Sequence, residues 1–245
     1  MSDEPRDPVR QTAPPDPGLV SRLFGVLFTP RQTFEAVARK PRVLGALAVV
    51  TLIVAGGAGW LLSTDIGQQA ALEQQLDAME SFGVTVTDEM YAQMERGLSN
   101  AVYFSMGGVL VWIPLLTLIL AGVLWTVGYV LLGAHAPFKA MLAVVAHAGV
   151  VNIVQQGFVL PLNYARGAMS SPSTLATFFP TLEEGAFAYR SLAAVDLFII
   201  WQLFILAIGV GVLYGRRTGP IAATFYVMYA LIATGIGLVF SRIGG

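Results

Sequence analysis

Five apolar stretches, each long enough to cross a bilayer, decide what this chain can fold into. A helix rises 1.5 Å per residue, so roughly 20 apolar residues cover the about 30 Å of hydrocarbon in a membrane. The stretches run from Val43 to Ser63, Ala101 to Leu132, Ala140 to Tyr164, Leu192 to Tyr214 and Ile221 to Phe240. The second is too long for one upright span and too short for two with a turn. It is expected as one tilted or protruding helix, with Pro114 as a point where it can kink. Only 12% of the 245 residues are charged and 56% are hydrophobic, whereas soluble domains carry about 25% charged residues. So few charges cannot coat a surface in water, but they suffice where lipid covers most of it. The expected fold class is all-α: an integral membrane bundle of five transmembrane helices, preceded by cytoplasmic interfacial helices.

Other classes are narrowed by what is missing. The formal charge of −1 provides no basic field for nucleic acid. The absence of cysteine excludes disulfides, thiolate zinc sites, iron–sulfur clusters and cysteine nucleophiles. Residues Met1 to Gly18 are polar and rich in proline, without an apolar core after a basic start. They are read as a disordered tail rather than a signal peptide, and residues 19–245 as one membrane domain.

Orientation follows from Lys and Arg near the spans. Arg6, Arg10, Arg22, Arg31, Arg39, Lys40, Arg42, Lys139, Arg216 and Arg217 fall on one side, ten in all, against Arg96, Arg166, Arg190 and Arg242 on the other. The N-terminus is therefore expected in the cytoplasm and the C-terminus outside, as in a multi-pass protein of a bacterial inner membrane. Between the first two spans, Thr64 to Asn100 is acidic. Leu72, Leu76 and Met79, then Met90, Met94 and Leu98, recur at helical spacing around a break at Gly83. Two short helices are expected there, extending spans one and two, with Thr87 as an N-cap. A solvated charged face is the preferred reading of that acidity over a ligand site. The loop from Tyr164 to Arg190 is expected to be irregular and partly interfacial.

Before the first span, Leu19, Leu23, Phe24, Leu27 and Phe28 make an apolar helical face. Thr29 and Pro30 then suit a helix start, with Thr as N-cap and Pro at the first helical position. The second helix carries Phe34 and Val37 and is stopped by Pro41. A basic helix with an apolar stripe beside a span belongs in the membrane interface. It could anchor beneath the bundle, or offer a partner-docking surface formed by Phe24, Phe28, Pro30, Phe34 and Val37.

Polar groups inside spans are costly and need partners. Span three carries His147, Asn152, Gln155 and Gln156, and span four carries Asp196 and Gln202. They could form a polar path or ion site, or hydrogen-bond helix to helix and fix the bundle. Glycines at 56, 57 and 59, 107 and 108, 209 and 211, and 235 and 237 permit close helix contact and self-association. No phosphate-cradling loop, serine elbow or His-Glu metalloprotease helix is present. His147 and Asp196 are expected at different depths, too far apart for a catalytic pair, so no enzyme, metal or cofactor is expected.

Short motifs, taken in order, resemble a known family. Leu27-Phe28-Thr29-Pro30-Arg31-Gln32-Thr33-Phe34-Glu35, then Pro41 and an immediate span, resembles the opening of bacterial members of the Yip domain family. That family is named after Ypt/Rab-interacting membrane proteins. The turn Gly133-Ala134-His135-Ala136-Pro137-Phe138-Lys139, His147 within Ala146-His147-Ala148, and Asp196-Leu197-Phe198-Ile199-Ile200-Trp201 are similar to recurring features of it. The resemblance runs from about Leu19 to Arg242. It implies five spans with the N-terminus in the cytoplasm. Eukaryotic members sit in Golgi and endoplasmic-reticulum membranes and bind Rab GTPases and one another. Nothing in the short tail reads as a GTPase-binding segment, so the resemblance carries over the fold and a membrane scaffold rather than the GTPase. The expected function is non-enzymatic: a scaffold or interaction protein in membrane organisation or trafficking-like processes. A transporter or channel subunit is the rival. The expected partners are the lipid bilayer, further copies or other membrane proteins.

Overall fold

The computed structural model describes residues 17–133, 135–183 and 185–243. The tail expected to be disordered lies, up to residue 16, outside the described residues. Among the described residues the architecture is helical throughout, and one isolated bridge pairs Thr174 with Asp196. Five helical segments among the described residues are long and apolar enough to cross a membrane.

Two short helices come first, α1 (Leu19–Phe28) and α2 (Pro30–Arg39). Pro30 opens α2 as expected. The Thr29 hydroxyl, however, does not cap it; it points back to the Gly25 carbonyl at 3.4 Å. The first span is α3 (Leu44–Leu62). Ser63 and Thr64 close it by bonding back to Trp60 and Leu61, each at 2.7 Å. Thr64 also caps the next helix, α4 (Asp65–Ser81), accepting from the Gly67 amide. Gly83, at φ 75°, then turns the chain in a left-handed conformation that favours glycine.

Thr87 caps α5 (Asp88–Leu132), accepting from the Met90 amide at 3.3 Å. The expected short helix and span two are one continuous helix of 45 residues. At 1.5 Å per residue it measures roughly 68 Å, about twice the hydrocarbon thickness. It continues past Pro114 without a break in the assigned helix.

The third span is not one helix but two, α6 (Phe138–Ala148) and α7 (Val151–Arg166). Around Gly149 the bonding tightens, with Val150 to His147, Asn152 to Gly149 and Ile153 to Val150, each three residues back. The following loop is less irregular than expected. It holds a 3₁₀ turn at Leu175–Phe178 and the short helix α8 (Phe187–Ala193). Span four, α9 (Leu197–Tyr214), starts five residues later than the apolar run suggests. Leu192 and Ala193 belong to α8, and Asp196 is the N-cap of α9. The last helix is α10 (Thr218–Ile243).

The centre of the bundle is α6 with the second half of α9. Met141, Ala143, Val144, Ile205 and Leu206 are buried there. Phe34 and Val37 of α2 belong to the same core, both at 0% exposure. A Cβ added at Gly209 would lie 2.5 Å from Val144 Cγ1 and 3.1 Å from Phe34 Cε1. That notch is what lets α2 and α6 reach α9.

Candidate functional site

The polar side chains of spans three and four, which could form one polar path or bond helix to helix, divide among separate places. Asp196 closes the first. Its backbone bridges to Thr174, with Leu175 N–H to Val195 O at 2.8 Å and Leu197 N–H to Ser173 O at 3.0 Å. Its carboxylate, 6% exposed, caps α9 through the Phe198 amide at 2.8 Å. The other oxygen accepts from Ser173 at 2.6 Å, Ser171 at 2.8 Å and Gln155 at 3.4 Å. Its amide donates to the Tyr229 hydroxyl at 2.9 Å, and that hydroxyl donates to Ala194 O at 3.0 Å. Spans three, four and five and the loop between them meet at this one residue. A buried carboxylate is tolerable when donors surround it, and four converge here.

A second place lies beside the break in span three. Asn152 and Gln202 line a cavity of about 190 Å³ together with Gly149, Thr117, Leu47 and Val50. Spans one to four all contribute to its wall. The Thr117 hydroxyl is engaged within its own helix, donating to Ile113 O at 2.7 Å. The two amides are therefore the polar groups with bonding capacity left for a guest or for water.

His147 stands apart, fully buried. Its Nδ1 lies 2.7 Å from Ala143 O, which assigns the proton to that nitrogen. Its Nε2 has no hydrogen-bond partner among the described residues. No hydrogen bond among the described residues joins it to Asp196. Gln156 faces span one: a Cβ at Gly57 would come 3.3 Å from its Oε1.

The expected docking face also changes. Phe24 and Phe28 are exposed, at 62% and 78%, and Pro30 is half-buried. Phe34 and Val37 cannot belong to a surface, because the bundle core encloses them. α2 turns its apolar stripe into the protein, and α1 turns two phenylalanines outward.

Three contributors escaped the sequence reading. Ser171 and Ser173 sit in a polar loop where serines carry no signal, and Tyr229 reads as one more span aromatic. Besides these three, Arg22 entered the sequence reading only through the Lys and Arg count, yet it is 1% exposed. Its guanidinium donates to Pro17 O and Lys40 O, both at 3.0 Å, and ties α1 to the end of α2. Its position between Leu19, Leu23 and Val26 on the apolar face of α1 was the available clue.

The Yip1 domain family model matches residues 24–241. Membrane protein YknW of Bacillus subtilis (strain 168) is 26% identical over 227 residues, covering 91% of this chain and 89% of that protein. No solved structure matches. Five membrane-spanning helices and a family match over nearly the whole chain lead to one conclusion: this protein belongs to the Yip1 domain family.

Proposed function

We propose that the chain is a non-enzymatic scaffold that receives another membrane protein on its N-terminal helices, on the cytoplasmic face of a bacterial inner membrane. One observation carries this reading. The α1–α2 hairpin is locked to the bundle by Val26, Phe34 and Val37, and Arg22 ties its two helices together, yet it presents Phe24 and Phe28 outward. A rigid element with exposed aromatics is a low-entropy docking surface. The ten-to-four distribution of Lys and Arg supports a cytoplasmic location for it. The polar groups around Asp196 support a scaffold over a carrier, because they bind helix to helix.

The lack of cysteine makes one experiment decisive. Phe28→Cys would react with a membrane-impermeant maleimide in inverted vesicles and not in intact cells. A crosslinker attached at that cysteine would recover a discrete protein adduct. Labelling from the outside, or adducts with lipid alone, would remove the proposal.

The cavity at Asn152 and Gln202 favours a second reading, passage of a small polar solute or ion. Irregular backbone at membrane depth is tolerated where it lines a cavity. Asn152→Leu with Gln202→Leu would then abolish flux into liposomes. If wild-type protein gives no flux, or the double variant conducts equally, this reading is wrong.

A further inference from the structure

The turn between α9 and α10 carries two features that none of the preceding chemistry uses. α9 ends at Gly215, φ 62°, and the Arg216 amide bonds back to Gly211 O at 2.8 Å. A Cβ at Gly211 would lie 3.0 Å from Arg216 O and 3.4 Å from Thr218 Oγ1, so glycine there lets the turn fold tightly against its own helix. The turn and α2 enclose a cleft of about 320 Å³ lined by Arg31, Glu35, Arg216, Arg217 and Thr218. Thr218 is also the first residue of α10, so the positive end of a 26-residue helix adjoins the cleft.

The charges in the cleft do not cancel. Glu35 pairs with Arg31 at 3.6 Å. Arg216 and Arg217 have no carboxylate partner among the described residues. Three arginines therefore face one carboxylate. Arginines at span ends often do no more than reach the interface. These line a concavity, and the same turn borders an apolar groove. That groove, about 300 Å³, lies between α5, α9 and α10 and is lined by Val127, Val210, Tyr214, Ile221 and Phe225. A basic cleft and an apolar groove flanking one turn at the edge of a span match an amphiphile with an anionic head.

We propose that the α9–α10 turn is a binding site for an anionic phospholipid, with Arg216, Arg217 and Arg31 on its phosphate and the groove beside Tyr214 on an acyl chain. Arginine suits a phosphate because its planar fork can donate two parallel hydrogen bonds. The site does not depend on how the chain is inserted, nor on the scaffold reading. A free phosphate shares the headgroup's chemistry but would leave the groove unused.

The test counts lipids retained by the full-length protein in native mass spectrometry, after reconstitution with phosphatidylglycerol or with phosphatidylcholine. Wild type is expected to retain phosphatidylglycerol selectively. Arg216→Gln with Arg217→Gln should weaken that retention roughly tenfold to thirtyfold, at about one factor of ten or less per charge. Arg216→Lys with Arg217→Lys should retain most of it, and Arg96→Gln all of it. The Lys variant and the comparison of the two lipids decide the matter even if the Gln variant fails to fold. Equal retention of both lipids overturns the proposal, as does a Gln variant that binds like wild type or an equal loss in Arg96→Gln. Displacement of the lipid by inorganic phosphate at millimolar concentration would assign the cleft to a free anion and overturn it too.

Discussion

The second and third spans lie side by side, yet 6% of the apolar window of α5 is buried against 50% for α6–α7. The less buried span is the more hydropathic of the two. Water would force the opposite order. Lipid tails are as apolar as leucine, so hydropathy does not sort the inside of a membrane bundle from its outside. The two spans differ instead in their content of small residues at the packed face. The buried helix α6 is built on Ala140, Ala143, Ala146 and Ala148, while α5 turns Trp112, Leu116, Ile119 and Val123 outward. Small residues let backbones approach, and large ones fill space that lipid would occupy.

This contrast can be broken by truncating one side chain on each helix. Met141→Ala removes a side chain with 0% exposure from the centre of the bundle. It should cost roughly 2–5 kcal/mol, read from unfolding in mixed detergent micelles. A cost below about 1 kcal/mol would mean that α6 is not the core. The smallest effect is expected at Ile119, which is 51% exposed. Ile119→Ala should change stability by no more than about 0.5 kcal/mol in the same assay. A larger loss would show that a partner or a second copy, rather than lipid, covers that face of α5.

The same physics explains what could be read from the sequence. The presence of five apolar helical segments, the turn at Gly83, the Thr87 cap and Pro30 at a helix start follow from local composition and are present among the described residues, while the bounds of spans three and four differ from the apolar runs. What failed was the assignment of direction. Phe24 and Phe34 look alike in an apolar stripe, yet one is exposed and the other enclosed. The difference arises at Gly209, 175 positions beyond Phe34, whose missing side chain makes room for it. Asp196 was placed inside span four because hydropathy runs straight through Leu192 to Tyr214. Its capping bond to Phe198 is local and legible; its bonds to Ser171, Ser173 and Gln155 are tertiary and are not. The break at Gly149 was hidden for a similar reason, since glycine is common in spans and a single one breaks few helices.

The arrangement around Asp196 sets a schedule for biogenesis. Among the described residues its carboxylate takes donors from residues 155 to 198, so that half can close as soon as the fourth span begins to emerge. Its amide and the Ala194 carbonyl wait for Tyr229, in the fifth span. A nascent chain that stops short of that tyrosine would hold two orphaned backbone groups at the lipid boundary. A helix made after the other four spans thus fastens what they have assembled.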